Sequence, residues 1–377
     1  MNSRFVFVAC LIIATPAVAA DKWWDEVVDH ALTMAKDNRS ELEKALTAVP
    51  KDQRKGMAFL IGNMPDNDLK SLKADFLLLN CELAYKARAE APWGKDIPED
   101  IFLNDVLPYA NVDETRDAWR KEFFDLCMPI AKTCKTAGEA AHKINGELFK
   151  TLKVKYSTER RAPNQSPKES IEQGKASCTG LSIVLSDACR AVCVPARLVG
   201  TPLWANKRGN HTWVEVWDKT WHFTGACEPD PSGLDRGWFV GDAAQAKKDS
   251  FEHAIYATSF RKTSQHFPLV WALGNKNVPA ENVTDRYAKP APKSETARVL
   301  VRVVDAAKKR VAVSVTVTGE KTKLDGTSRG PTADLNDMLG FDLVPGKSYV
   351  VKVGDVEKKI TAGKVGEQQV VEFELTR

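Results

Sequence analysis

From Asp21 to about Leu152, apolar residues recur at intervals of three and four. Trp23, Trp24, Val27, Val28, Ala31 and Leu32 trace one stripe, and Leu69 to Ala89 trace a second with almost no β-branched residues. Arg116 to Ala131 trace a third, carrying Trp119, Phe123, Phe124 and Leu126. A helix with one buried face requires that spacing. The region 21–152 is therefore read as helical, its Trp and Tyr residues belonging to a core. Pro-containing stretches such as Ala91–Pro98 separate the helices. Residues 160–170, polar and holding two prolines, read as a surface loop. A further helix runs from about Ser177 to Val192 on Leu181, Ile183, Val184, Leu185 and Ala188. After Pro195 the pattern changes to strands at Ala196–Leu203, Thr212–Trp217 and Trp221–Thr224. Beyond a charged, proline-bearing linker at 289–295 come the β-branched runs Val299–Val304, Val311–Val317, Phe341–Val344, Tyr349–Val353 and Val370–Leu375, divided by Gly-containing turns. They fit a small antiparallel β-sandwich over 296–377. The expected fold class is α+β multidomain, with an α+β central domain over 153–288.

The chain has 377 residues, too many for one ordinary core. Its 54 basic and 50 acidic residues leave a net charge of +4. No basic tract interleaves with aromatics, so nucleic acid is not an expected partner. The first twenty residues differ from the rest. Arg4 precedes an apolar run from Phe5 to Thr15, then Pro16 and the small residues Ala17-Val18-Ala19-Ala20. That is the pattern of a secretory signal peptide cleaved near Asp21, because the run falls short of the ~20 apolar residues of a membrane span. No later segment could span a membrane. Four Asn-x-Ser/Thr sequons include Asn210-His211-Thr212. A glycan there would cover the candidate site described next, which favours a bacterial, periplasmic setting. Of the eight cysteines, Cys10 falls in the leader and seven remain. Export permits disulfides, and an odd number agrees with one thiol kept for chemistry.

Cys178 is the candidate nucleophile. In Lys175-Ala176-Ser177-Cys178-Thr179-Gly180 it stands at a helix start, where unpaired backbone N–H groups and the helix dipole favour a thiolate. Ser177 is placed to cap that helix. His211, at the mouth of the strand His211-Thr212-Trp213-Val214-Glu215-Val216, is the candidate base, able to protonate a leaving amine. A third group must fix the imidazole's orientation, and the next strand, near Trp221–Asp230, should supply it. Cys189 and Cys193, four apart on one helix face, lack the second pair a zinc site needs. Packing or disulfides to other segments suit them better. Cys227 is expected to be stapled to the helix by such a bond, and His222 reads as structural.

The helix-start cysteine, Val194-Pro195-Ala196-Arg197-Leu198-Val199-Gly200, the His-Thr-Trp-Val-Glu-Val strand and a strand opening at Trp221 together resemble the transglutaminase-like family, over about Lys153 to Tyr287. The resemblance implies a papain-type fold with a Cys-His-Asp triad, the cysteine's helix packed on an antiparallel sheet. Trp217, Trp221 and Trp238 suit that packing. One position departs from the family pattern. Where the family places an aspartate, four residues after the strand's tryptophan, this chain has Gly225. Glu228-Pro229 follows three residues later and looks like the acidic-proline pair displaced by a bulge. Glu228 is therefore assigned the third role, with Asp230 as second choice, and a Glu228 oxygen is expected within ~3.2 Å of a His211 ring nitrogen. Gln173 is the candidate side-chain oxyanion donor implied by papain-type enzymes. The C-terminal sandwich resembles the transthyretin-like or immunoglobulin-like modules of exported enzymes.

These residues imply an exported thiol enzyme that attacks peptide or carboxamide carbonyls through a Cys178 thioester. Hydrolysis, as in a protease or amidase, is expected over cross-linking. The substrate is a protein or peptide. No calcium-loop pattern occurs, so neither metal nor other cofactor is expected. The rival from another class is a non-catalytic binding or assembly protein that keeps the fold with a degraded triad; a cell-wall amidase is a weaker third. The segment Leu107-Pro108-Tyr109-Ala110-Asn111, followed by Glu114, Arg116, Trp119 and Arg120, reads as a helix start with packed Trp119 and solvated charges. Its alternative role is a roof over the cleft.

Overall fold

The computed structural model describes residues 22–288, 295–334 and 336–375. The expected leader and nearly all of the linker lie outside the described residues. The helical region holds α1 (Glu26–Met34), α2 (Arg39–Ala48), α3 (Arg54–Asn63), α4 (Asp66–Leu69), α5 (Ala74–Glu90), α6 (Glu99–Asp105), α7 (Arg120–Ala131) and α8 (Ala137–Leu152). Side chains set where helices begin: Asp25 accepts from the Val28 N–H ahead of α1, and Thr136 from that of Glu139 ahead of α8. α1 turns Val28, Ala31 and Leu32 inward but leaves Val27 exposed, so its buried stripe is narrower than the sequence suggests. The run expected from Leu69 is interrupted at 70–73, and Arg116 lies in the loop before α7, where its Nε donates to Asp68 at 3.0 Å.

Next come β1 (Lys155–Tyr156), α9 (Pro167–Gln173), β2 (Lys175–Ala176) and α10 (Cys178–Ala191). Ser166 and Glu169 form a reciprocal capping box at the head of α9, with Pro167 in the first turn. After α10 the chain forms β3 (Ala196–Thr201), β4 (His211–Asp218), β5 (Thr220–Thr224), α11 (Val240–Ala243), β6 (Tyr256–Thr258), β7 (Gln265–His266), β8 (Pro279–Asn282) and α12 (Thr284–Tyr287). The six strands make one antiparallel sheet in the order β5-β4-β3-β6-β8-β7. α10 packs on β3 and β4 with one side and on α7 and α8 with the other. Every residue from Thr179 to Ala191 is buried. A single apolar core runs from Val28 through α10 to Ala226, so the helical region and the sheet share one interior.

A fully buried helix must satisfy its polar side chains, and the segment after α6 does so. Asn111 Nδ2 donates to Asp187 Oδ1 at 2.8 Å, Ser186 donates to Asn111 Oδ1 at 2.8 Å, and Arg190 donates to the Ala110 carbonyl at 2.8 Å. The segment therefore braces the back of α10. It neither roofs the cleft nor carries solvated charges, since Glu114 and Arg120 are buried. Arg120 closes the carbonyls left open at the end of α6, its Nη2 donating to those of Val106, Leu107 and Pro108, and its Nε to Asn80 at 2.7 Å. Burial brings its guanidinium pKa down to about 9.

The C-terminal part is a sandwich of β9 (Ala297–Asp305), β10 (Ser314–Thr318), β11 (Lys323–Thr327), β12 (Leu339–Leu343), β13 (Ser348–Val353), β14 (Val356–Thr361) and β15 (Gln368–Leu375). One sheet is ordered β11-β10-β13-β14 and the other β12-β9-β15. Alternate residues of β9, β10 and β13 fill a core separate from the first. The pairing is not antiparallel throughout: β15 runs parallel to β9. β14 escapes the sequence pattern because it is exposed at nearly every position and shows no alternation. No helix among the described residues is long and apolar enough to cross a membrane.

Replacing Arg120 by Met keeps much of its volume but leaves several buried carbonyls without a donor. The expected loss is about 3 kcal/mol, read as a lower urea midpoint with an unchanged slope. A loss below about 0.5 kcal/mol would show that water reaches those carbonyls instead.

Candidate active site

Ser177 caps α10, its Oγ accepting the Gly180 N–H at 3.0 Å, so Cys178 is the first helical residue and part of it faces open space. The head of the helix is stitched to the head of β4. Thr179 Oγ1 and Thr212 Oγ1 lie 3.0 Å apart, Ser182 Oγ donates to the Thr212 carbonyl at 3.2 Å, and the Cys178 sulfur accepts the Thr212 N–H. His211 is the next residue back along β4. Cys178 and His211 both line a cleft of about 800 Å³. Tyr156, Arg208, Glu228 and Trp238 line its central-domain side; Arg298, Asp334, Asn336 and Gln368 line the side made by the sandwich.

His211 is 5 % exposed and sits among aromatic rings. Its ring centroid lies 4.7 Å from Trp238, 5.0 Å from Phe239, 5.8 Å from Trp213 and 6.3 Å from Trp204. Nε2 is buried with no hydrogen-bond partner. Burial brings the imidazole pKa down to about 3, with the Asp334 charge opposing and that of Arg208 assisting. Burial pushes the Cys178 thiol up, against the N–H groups of Thr212 and Thr179 and the charge of Arg160, which favour the thiolate. The helix start therefore loses to desolvation, and the resting pair is a neutral thiol beside a neutral imidazole.

Residues 225–228 form a tight turn in which the Glu228 N–H returns to the Gly225 carbonyl at 3.2 Å and Cys227 takes φ +66°. Asn145 of α8 clamps it: Nδ2 donates to the Gly225 carbonyl at 2.8 Å, and Oδ1 accepts the Cys227 N–H at 2.9 Å. A Cβ at Gly225 would lie 3.0 Å from Glu228 Oε2. The Glu228 carboxylate thus occupies the space a longer side chain at 225 would enter, as a displaced acid should. It does not reach the imidazole. Oε2 accepts from Trp238 Nε1 at 2.8 Å, and no hydrogen bond joins Glu228 to His211 among the described residues. The Trp238 ring stands at the imidazole and has taken the acid's bond.

Asp230 Oδ1 accepts the Ser232 N–H at 2.8 Å within its own turn and does not line the cleft. Gln173 is also elsewhere. Gly174, at φ +66°, ends α9, and the Gln173 amide is used by the Arg161 N–H at 2.8 Å and the Glu159 carbonyl at 3.2 Å. The described cysteines are all free thiols, so Cys227 is not stapled to the helix, and Cys189 and Cys193 are packed in the core. His222 holds Asp235 at 2.6 Å on β5. Sequence reasoning missed Tyr156, Trp204, Asn145, Asp334 and Asn336 as parts of the site. The Tyr156 hydroxyl donates to Asp334, and neither residue carries a local signal.

Residues 125–243 match the family described as the transglutaminase-like superfamily, so the central domain is transglutaminase-like. No curated protein matches the chain. Among solved structures, a candidate cysteine protease from Cytophaga hutchinsonii is similar at 17% identity over 37% of this chain and 46% of that one, with a TM-score of 0.28. Red sea bream transglutaminase is similar at 10% identity over 73% and 65%, with a TM-score of 0.34. The chain spans less than two thirds of either protein's length.

An imidazole held at about 3 when folded, against about 6.5 when unfolded, binds its proton more readily in the unfolded chain. Its contribution to stability is complete above pH ~6.5 and is lost as pH falls toward 3, by roughly 5 kcal/mol in all. His211→Gln should flatten the fall of the urea midpoint across that window. Parallel curves for the two proteins would mean that the buried ring is not what acid attacks.

Proposed function

We propose that the protein is an exported thiol enzyme that hydrolyses carboxamide or peptide bonds of protein or peptide substrates. One observation carries the reading: a cysteine at the first position of a buried helix, stitched to the strand that begins with a histidine, both facing one cleft. The Cys178 sulfur adds to the carbonyl carbon as its proton passes to His211. With both groups neutral at rest, transfer accompanies attack rather than preceding it. The tetrahedral oxyanion is met by the Cys178 backbone N–H at the helix start. The C–N bond then breaks, the amine leaves with the proton from His211, and a thioester remains. Water, giving a proton back to His211, releases the carboxylate and restores the thiol. Glu228 serves as a positioning residue, holding the Trp238 indole against the imidazole.

The unpaired Nε2 of His211 favours a second reading, a fold kept for binding after its triad has decayed. Iodoacetamide separates the two. An active pair gives alkylation of Cys178 whose pH dependence changes in His211→Gln, whereas a decayed one gives the same curve in both proteins. In the active case the wild-type rate keeps rising above the ~8.5 of an ordinary thiol, because burial opposes the thiolate.

Cys178→Ala should abolish ammonia release from glutamine-containing peptides while leaving the fold intact. Glu228→Gln keeps an acceptor for Trp238 and should retain most of the rate, and Glu228→Ala should lose roughly tenfold or more. A Gln variant as poor as the Ala variant would show that the charge itself is required. With excess hydroxylamine present, the free acid should remain the main product; a hydroxamate in its place would make the enzyme a transferase.

A further inference from the structure

The loop between β11 and β12 lies some 120 residues after β4 in sequence, yet it touches the histidine's surroundings directly. Arg310 holds it from within the sandwich, donating to the backbone carbonyls of Asp334 and Asp337. Thr158 Oγ1 donates to the Thr332 carbonyl at 2.8 Å, next to the Tyr156–Asp334 contact. Asn336 makes the decisive pair of bonds. Its Nδ2 donates to the carbonyl of Asn210, the residue before His211, at 2.7 Å. Its Oδ1 accepts from Trp204 Nε1 at 2.9 Å. Trp204 is 1 % exposed, stacks on Trp213 at 6.1 Å and 12°, and lies 6.3 Å from the His211 ring. One carboxamide therefore fixes both the backbone entering the histidine and an indole in the box around it.

We infer that Asn336, carried by the C-terminal sandwich, is a positioning residue for His211, so that the thiol–imidazole pair is in working geometry only while this loop is docked. The inference rests on the proposed Cys178–His211 chemistry. The imidazole has no acceptor at Nε2, the bond that orients a catalytic histidine in a triad. Orientation must then come from ring packing and from the peptide leading into the residue, and Asn336 holds a part of each. A pair left without such support is misplaced by fractions of an ångström, enough to cost on the order of tenfold in rate.

The test uses the full chain, iodoacetamide alkylation of Cys178 followed by peptide mass spectrometry, and the ring ¹⁵N resonances of His211. Asn336→Ala removes both bonds, and Trp204→Phe removes one while keeping an aromatic ring, though a smaller one, at that position. In each, the pH profile of Cys178 alkylation should shift and the His211 resonances should broaden or split, with ammonia release falling roughly tenfold in kcat and much less in KM. Asn336→Asp keeps the acceptor for Trp204, loses the donor to Asn210, and should fall between. Lys308→Ala, on the sandwich's outer surface beside Glu374, should leave all three readouts unchanged. If Asn336→Ala and Trp204→Phe keep the wild-type profile and resonances while His211→Gln changes the profile, the positioning role is wrong. If His211→Gln also leaves the profile unchanged, the thiol–imidazole reading itself fails.

Discussion

The site depends on the junction between the head of α10 and the head of β4. Thr212 supplies three contacts there: its N–H to the Cys178 sulfur, its hydroxyl against Thr179, and its carbonyl to Ser182. Helix and strand come from different parts of the pattern, one with a period of 3.6 and one with a period of two. Neither alone places a thiol near an imidazole. The short polar side chains at 179, 182 and 212 let the two backbones approach, and the buried body of α10 keeps them from sliding. The segment 107–111 and Arg120 brace that helix from behind, so residues outside the cleft still fix the position of the Cys178 thiol.

Enclosure on this scale has an electrostatic price. The same packing that orders the pair removes water from it, and desolvation outweighs the helix start and the Thr212 N–H at the sulfur. At the imidazole nothing offsets it but the charge of Asp334. The Glu228 carboxylate lies close by but is engaged by an indole. At the imidazole the confinement is aromatic: Trp204, Trp213, Trp238 and Phe239 limit the ring's orientation by shape.

Local signals made much of this legible in the sequence. Ser177-Cys178 reads as a capped helix start because capping is a matter of three adjacent residues, and His211 reads as a strand opening because period-two alternation begins beside it. The return of Glu228 toward Gly225 could also be seen, since a three-residue displacement is a local event. Its hydrogen-bond partner could not, because Trp238 competes for the acid from ten residues away and only the folded turn decides which donor is nearer. Gln173 failed for a similar reason: the left-handed Gly174 turns it outward, and nearby backbone groups take its amide. The disulfide expected at Cys227 is absent, and of the two readings open for Cys189 and Cys193 it is packing that holds, both behaving as small apolar side chains. The bracing segment 107–120 looked surface-like because its charges are counted in sequence but satisfied in space. Asn336 carried no signal, since nothing near position 336 refers to His211.

The parallel pairing of β9 with β15 bears on how the cleft is assembled. β9 opens the sandwich, and its parallel partner follows after more than sixty intervening residues. The sheet β12-β9-β15 is therefore complete only once residues 368–375 are in place, whereas α10 and β4 can join as soon as residue 218 has emerged. Long-range parallel pairing is slow to form. In a chain synthesised from its N-terminus, the thiol and imidazole stand in a half-built, one-walled groove until the second wall arrives. The nascent protein thus passes through an interval in which the Cys178 thiol is most accessible to reagents and His211 least constrained.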